Sequence, residues 1–160
     1  MALAAKPPSA SLVEMTELVM PPDANAFGTA FGGRIVQWTD LAGGVCAMRH
    51  AGVPVVTVAI DQLTFLAPIR IGYVALLEAR VNAAFRSSME VGVEVVAENP
   101  LTGERHKCCD AYLSFVAIGP DKRPTEVPPL LVESEEERRR ERDAHTRRDA
   151  RLALRAALCT

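Results

Sequence analysis

Residues 25–50 read NAFGTAFGGRIVQWTDLAGGVCAMRH, and the fold follows from how this stretch is interpreted. It opens as a loop carrying Asn25, Gly28, Gly32 and Gly33, then continues as an apolar run that meets no proline until Pro54. Glycines let a backbone turn tightly and come close to a ligand. A glycine loop that feeds a helix also leaves unpaired N–H groups at the helix start, where negative charge is favoured. With successive residues about 100° apart, Ile35, Trp38, Thr39, Ala42, Val45 and Cys46 gather on one broad side, and Val36, Gly43, Gly44 and Ala47 lie beside them. Apart from Arg34 and Gln37 there is no water-facing stripe before Arg49 and His50, so the pattern predicts a central helix wrapped by other elements.

Asp40 falls on the small-residue side of that helix. An ionised carboxylate there is costly unless it is paired, hydrogen-bonded or open to a cleft. A carboxylate that merely accepts hydrogen bonds from a nearby loop fits the pattern as well as a functional one does. For Asn25 an ordinary turn role is the stronger reading, because Asn, Asp and Gly fill turns everywhere. The loop has neither the lysine of a P-loop nor the strand and acidic residue of a dinucleotide site.

A chain of 160 residues predicts one domain with enough length for a real core. Its 49% hydrophobic and 24% charged content is that of an ordinary globular protein, and a formal net charge of -2 offers no attraction to nucleic acid or anionic membrane. No apolar run approaches a membrane span. The first residues, MALAAKPPSAS, make a poor signal peptide and predict a loose terminus. Cys46, Cys108, Cys109 and Cys159 show no C-x-x-C spacing, which suits free thiols in a reducing cytoplasm. They form no ligand cluster with His50, His106 or His145, so no metal site is expected.

Around the helix the chain reads as strands. Residues 11–20 predict a first strand ended by Pro21 and Pro22, and residues 55–65 a second, rich in β-branched residues. Asp61 within it reads as a solvent-facing or edge position. Tyr73, Ala75, Leu77, Ala79, Val81 and Ala83 alternate with Glu78, Arg80 and Asn82. Met89, Val91, Val93, Val95 and Ala97 alternate with Glu90, Gly92, Glu94, Val96 and Glu98. One dry and one wetter face mark an antiparallel sheet. Residues 99–103, NPLTG, form a turn, and residues 106–118 a last strand. The economical solution is α+β: one long helix cradled by an antiparallel sheet of about five strands, spanning residues 1–132. Residues 120–129 predict an extended segment over the sheet. Residues 133–160 form a charged tail, with Ser134 and Glu137 as a capping box and Glu135/Arg139 and Glu136/Arg140 at the spacing of helical ion pairs. A solvated helix is the default for it.

Four stretches then accumulate into a resemblance. NAFGTAFGGRIVQWTD (residues 25–40), VTVAIDQLTFLAP (56–68), RSSMEV (86–91) and RPTEVP (123–128) resemble, in order and spacing, the hotdog-fold acyl-CoA thioesterases, in particular their acyl-CoA hydrolase group. The resemblance implies one helix in an antiparallel "bun". It also implies homodimers joined at their sheet edges, often three dimers to a hexamer, with active sites at the dimer interface. It implies that Asp40 is the catalytic helix carboxylate, that Asn25 comes from the facing subunit, and that the Gly33 N–H polarises the thioester carbonyl with Gly32 beside it. Arg86, Ser87, Ser88, Lys122 and Arg123 become candidates for the phosphates and pantetheine of coenzyme A, although Phe85 stands where the family has a small residue.

Thioester hydrolysis makes these residue types sensible, since it needs a delivered nucleophile and donors for the oxyanion. Asp40 would act as general base on water or attack directly. The resemblance implies no cofactor beyond the coenzyme A of substrate and product, an acyl-CoA partner, and no nucleic acid or membrane partner. Two rivals stand against hydrolysis. A hotdog dehydratase or hydratase would rely on a histidine near the helix start, and none occurs between Asn25 and Asp40. A non-catalytic acyl-CoA sensor would bind without turnover. His106 lies outside the matched stretches and reads as structural or surface.

Overall fold

Alternating small and β-branched residues build five strands, and the computed structural model describes residues 3–159. The strands are β1 (Val13–Leu18), β2 (Val55–Phe65), β3 (Val74–Ala84), β4 (Ser88–Glu98) and β5 (Arg105–Ala117). They form one sheet in the order β1-β3-β4-β5-β2, with every neighbouring pair antiparallel. The long apolar run becomes α1 (Gly32–Ala51), which lies between β1 and β2 in sequence. It covers the dry face made by Leu77, Ala79 and Val81 of β3, Val91, Val93 and Val95 of β4, and Leu113 and Phe115 of β5. This is the expected α+β hotdog arrangement of one long helix in an antiparallel sheet.

Small residues set how closely helix and sheet approach. A Cβ at Gly43 would lie 3.2 Å from ring carbons of Phe115, so the ring takes the space that a side chain would need. Such contacts carry the dispersion attraction of a close-packed core. The helix ends at Gly52, which sits in the left-handed region at φ 71° and returns its N–H to the Met48 carbonyl at 2.8 Å. A left-handed glycine just past a helix is the commonest way to stop one, and Pro54 then begins the path into β2.

The helix is not wrapped all round. Ile35, Trp38, Thr39, Ala42, Gly43, Cys46 and Ala47 are buried. Gln37 is exposed, as are Leu41 at 55% and Met48 at 44%. A single curled sheet covers the sides of a helix that face it, and nothing else in the described chain reaches the remaining side. The apolar composition therefore marks a side that is bare in the single chain.

The termini also depart from expectation. Lys6 is bonded into the structure rather than loose: its N–H donates to the Pro129 carbonyl at 3.0 Å, and its own carbonyl accepts from the Leu131 N–H at 2.9 Å. The Lys6 ammonium donates to the His50 carbonyl at 2.8 Å, a cation meeting the negative end of α1. Pro8–Ser11 forms a short 3₁₀ turn with Ser11 buried. The first two residues of the expected loose terminus, like the last residue of the tail, lie outside the described residues.

The C-terminal tail forms α2 (Glu135–Leu158), 24 residues long. The capping box forms as read: Ser134 Oγ accepts the Glu137 N–H at 3.1 Å, and the Glu137 carboxylate accepts the Ser134 N–H at 3.0 Å. Glu136 pairs with Arg140 at 2.6 Å, whereas Arg139 turns to Asp143 at 3.2 Å and Glu135 to Arg138 at 3.1 Å. The helix is not simply solvated. It lies on the outer face of the sheet, with Ala144 buried and its arginines reaching down to carboxylates that read as wet-face residues. Arg147 grips Glu90 with two hydrogen bonds of 3.0 and 2.7 Å and stacks its guanidinium 3.7 Å above the Tyr112 ring. Arg148 lies 4.5 Å over the ring of Phe85. Arg151 pairs with Asp61, whose side chain is only 7% exposed; the position is an edge strand, as read, but not solvent-facing.

Candidate active site

The loop before α1 is organised by Asn25. Its Oδ1 accepts the N–H groups of Phe27 at 2.9 Å and Thr29 at 3.3 Å, and its Nδ2 donates to Thr29 Oγ1 at 3.0 Å. Such side-chain-to-backbone bonds are what Asn supplies in tight turns. Gly28, at φ 75°, completes the turn, and Phe27 stands 90% exposed at its tip. Arg34 in the first turn of α1 is tied back to Asp23 at 2.9 Å, which fixes the approach of loop to helix.

The helix starts at Gly32 with Phe31 as a cap that offers no side-chain bond. The N–H groups of Gly32 and Gly33 take no partner among the described residues. A Cβ on Gly33 would lie 2.7 Å from the Phe31 ring, so a side chain there would have to displace that ring. These free donors at the positive end of a helix suit an oxyanion. Gly33 and Asp40 are two helical turns apart and share one side of α1, the same bare side that carries Gln37, Leu41 and Met48.

Asp40 is half-buried, and Thr57 Oγ1 donates to its Oδ1 at 2.7 Å. This bond fastens the middle of α1 to β2 and orients the carboxylate. No other side chain bonds Asp40 among the described residues, so its second oxygen is free to accept a proton. Within one chain Asn25 and Asp40 are not joined. Asn25 is occupied with Thr29 in the loop before the helix, while Asp40 stands eight residues beyond Gly32, about 12 Å along the axis.

Thr57 is the residue that the sequence reading passed over. Its signal was its place, inside the matched stretch of residues 56–68, on a strand position whose side chain faces the helix. The free thiols carry no comparable chemistry. Burial pushes Cys46 and Cys109 up to about 11, which keeps them protonated and inert. His106 lies 3.3 Å from the Pro68 carbonyl through Nε2, a strand-end contact away from Asp40.

The remaining candidates assemble at one end of the sheet. Arg86, Ser87 and Ser88 turn the chain from β3 into β4, with the Phe85 N–H donating to the Ser88 carbonyl at 2.8 Å and the Ala117 N–H to Ser87 at 2.9 Å. Lys122 and Arg123 sit exposed in the turn closed by the Gly119 N–H donating to the Arg123 carbonyl at 2.8 Å. The segment that follows joins the two turns, through Thr125 to Ala117 at 2.9 Å and Val127 to Arg86 at 3.1 Å. Gly32 lies at the opposite end of β2, in contact range of the Phe65 ring. Asp40 falls between these two groups.

The profile of the thioesterase superfamily matches residues 27–104. An acyl-CoA thioester hydrolase of Salmonella typhimurium is 37% identical over 125 residues, covering 76% of this chain and 92% of that protein. The acetyl-coenzyme A thioesterase of Mus musculus is 31% identical over 140 residues, and the chain spans only 25% of its length. The crystal structure of an apo-hexameric acyl-CoA thioesterase superposes with a TM-score of 0.92 at 38% identity, covering 98% of this chain and 99% of that one. The acyl-CoA hydrolase of Staphylococcus aureus, solved with butyryl coenzyme A, coenzyme A and coenzyme A disulfide, superposes with a TM-score of 0.89 at 33% identity over 96% of this chain and 93% of that one. Structures of its variants with an aspartate, an asparagine or a threonine changed to alanine are as similar, at TM-scores of 0.90, 0.91 and 0.89. The chain belongs to the thioesterase superfamily, among its hotdog-fold acyl-CoA thioesterases.

Proposed function

We propose that this chain hydrolyses acyl-CoA to a free carboxylic acid and coenzyme A, with Asp40 as the group that delivers the nucleophile. The observation that carries this reading is the Thr57–Asp40 bond of 2.7 Å on the bare side of α1. It holds one carboxylate oxygen and leaves the other for a water proton. Further support comes from the S. aureus hydrolase, whose altered asparagine, aspartate and threonine follow one another at the same sequence intervals as Asn25, Asp40 and Thr57.

In this scheme the thioester carbonyl lies against the N–H of Gly33, with Gly32 beside it, so that the developing oxyanion meets the positive end of a helix. Water attacks the carbonyl carbon as Asp40 takes its proton. The C–S bond breaks as the tetrahedral intermediate collapses, and the proton leaves with the coenzyme A thiol. Direct attack by Asp40 would form an anhydride that water then cleaves. Single turnovers in labelled water separate the two routes, because only the second places solvent oxygen in Asp40.

The site is completed by a second copy of the chain. Val56 and Val58 beside Thr57 are exposed apolar residues on an unpaired edge strand, and Leu41 beside Asp40 is exposed on α1. An open edge of that kind is an invitation to pairing. A facing copy brings its Asn25 loop to Asp40, giving a homodimer, and three such dimers make a hexamer, a subunit number that the hexameric neighbour shares. Arg86, Ser87, Ser88, Lys122 and Arg123 then supply donors and positive charge to the phosphates and pantetheine. The reaction draws on no cofactor beyond the coenzyme A of the substrate, and a cytoplasmic location suits the three buried free thiols.

The test follows thiol release from acyl-CoAs of graded chain length. Wild-type protein is expected to turn over, and Asp40→Asn to lose about 100-fold or more, on the scale of a positioned base. Binding without turnover in the wild type would make the chain a sensor. Undiminished turnover in Asp40→Asn would remove that residue from the chemistry.

A further inference from the structure

The strand that carries Thr57 is irregular. Thr57 pairs with Phe115, but the register slips before Ala59, which pairs with Ser114, and slips again between Ile60 and Gln62. Each slip is a bulge, where one extra residue bends the strand and re-aims its side chains. Regular alternation from Thr57 would send residues 59 and 61 to the helix side as well. The first bulge instead turns Asp61 to the outer face, and the second restores alternation so that Leu63 pairs with Ala111. β2 is also an edge strand, bonded to β5 on one side only. Its backbone ladder alone does little to hold a doubly bulged segment in place.

A second attachment comes from the other side of the sheet. Arg151 of α2 pairs with Asp61 and donates to Ser114 Oγ at 2.7 Å, while Ser114 lies 3.4 Å from Asp61 Oδ2. Ser114 is 5% exposed and the Asp61 side chain 7%, so the carboxylate has given up most of its water to this one cation. Without the guanidinium, a buried carboxylate is left with a single weak hydroxyl contact. The cheapest relief is for the bulge to relax and carry Asp61 back to solvent. That relaxation changes the register on which Thr57 depends.

We propose that Arg151 is a positioning residue for the active site: by holding Asp61 outward it fixes the bulged register of β2 that aims the Thr57 hydroxyl at Asp40. Through it α2 acts on chemistry on the far side of the sheet. The inference rests on the assignment of Asp40 above. Arg147 supplies the control, since its hydrogen bonds anchor α2 to Glu90 on β4 rather than to β2.

The experiment measures kcat and KM for thiol release, and hydrogen exchange of residues 55–65, in full-length Arg151→Met, Arg151→Lys, Arg147→Met and Asp40→Asn proteins. Arg151→Met is expected to lower kcat about 10-fold with KM within about 2-fold, and to speed exchange of residues 55–65, short of the roughly 100-fold that a gross misplacement costs. Arg151→Lys should recover most of the rate, because it restores a cation to Asp61. Unchanged kcat in Arg151→Met overturns the proposal, as does an equal fall in Arg147→Met, which would trace the effect to loosening of α2 as a whole. If Asp40→Asn is inactive while Arg151→Met is fully active, the positioning role fails and the assignment of Asp40 stands. If Asp40→Asn is fully active, the assignment fails and takes the positioning role with it.

Discussion

The two helices cover opposite faces of one sheet by opposite means. α1 presents small apolar residues to the dry face and packs by shape, with Gly43 against Phe115. α2 buries only Ala144 and is held by arginines that reach carboxylates and rings on the outer face. Contact by shape excludes water and gives a rigid platform, which a site needs if a carboxylate is to be held in one orientation. Contact by charge is directional and depends on each partner being present. The proposed site sits on the dry helix, at the margin where its covering gives out.

This contrast can be broken in order of expected effect. Phe115→Ala removes the ring that fills the space beside Gly43 and should cost about 3–5 kcal/mol in denaturant unfolding. A loss under about 1 kcal/mol would mean that the inner face collapses to fill the gap. Arg147→Met leaves Glu90, 2% exposed, with Asn82 as its remaining partner at 3.1 Å, and should cost about 3 kcal/mol. The paired change Glu90→Leu with Arg147→Leu should recover most of that loss, since a well-packed apolar pair often matches a buried ion pair. If the paired variant is no more stable than the single one, the ion pair itself, rather than the stranded charge, is what matters.

Acid should separate the helices further. His50 at the end of α1 is fully buried, with Nε2 2.9 Å from the Pro128 carbonyl and Nδ1 unpartnered. Burial holds its pKa below the usual 6.5. The unfolded chain therefore binds the extra proton first, and this contribution to stability is present above about pH 6.5 and lost as pH falls below it. Hydrogen bonds from Arg138 to Glu135 and from Arg140 to Glu136 hold both carboxyls below their usual 4.5, so the first turn of α2 loses its support only in stronger acid. Urea unfolding across pH 4 to 7 should show the earlier loss in the wild type and a flatter profile in His50→Gln. An identical slope in the two proteins would rule out His50 as its source.

Much of this was legible in the chain because periodicity records burial. The bounds of β2 emerge at Val55 and Phe65 as read, the two alternating strands place their dry faces correctly, and the Ser134 capping box forms as its spacing implies. What periodicity cannot record is which charges meet. Glu90 and Asp61 carry the signature of wet positions, yet Arg147 and Arg151, more than fifty residues later, cover them. The same limit hid Thr57, whose hydroxyl matters through one bond to a helix elsewhere in sequence, and the tie of Lys6 to the C-terminal segment. The broad apolar side of α1 is buried as its pattern implies, but the helix is not wrapped all round: Gln37, Leu41 and Met48 stay exposed, because composition does not say where the covering stops.

The most direct measurement mixes two damaged proteins. Asp40→Asn and Asn25→Ala chains, each impaired alone, are coexpressed so that they pair, and thiol release is compared with that of each parent. If Asp40 of one chain works with Asn25 of its partner, each mixed dimer holds one intact site, and activity should return to about half the wild-type rate per mixed dimer. Mixed dimers no more active than their parents would contradict a site shared between two copies.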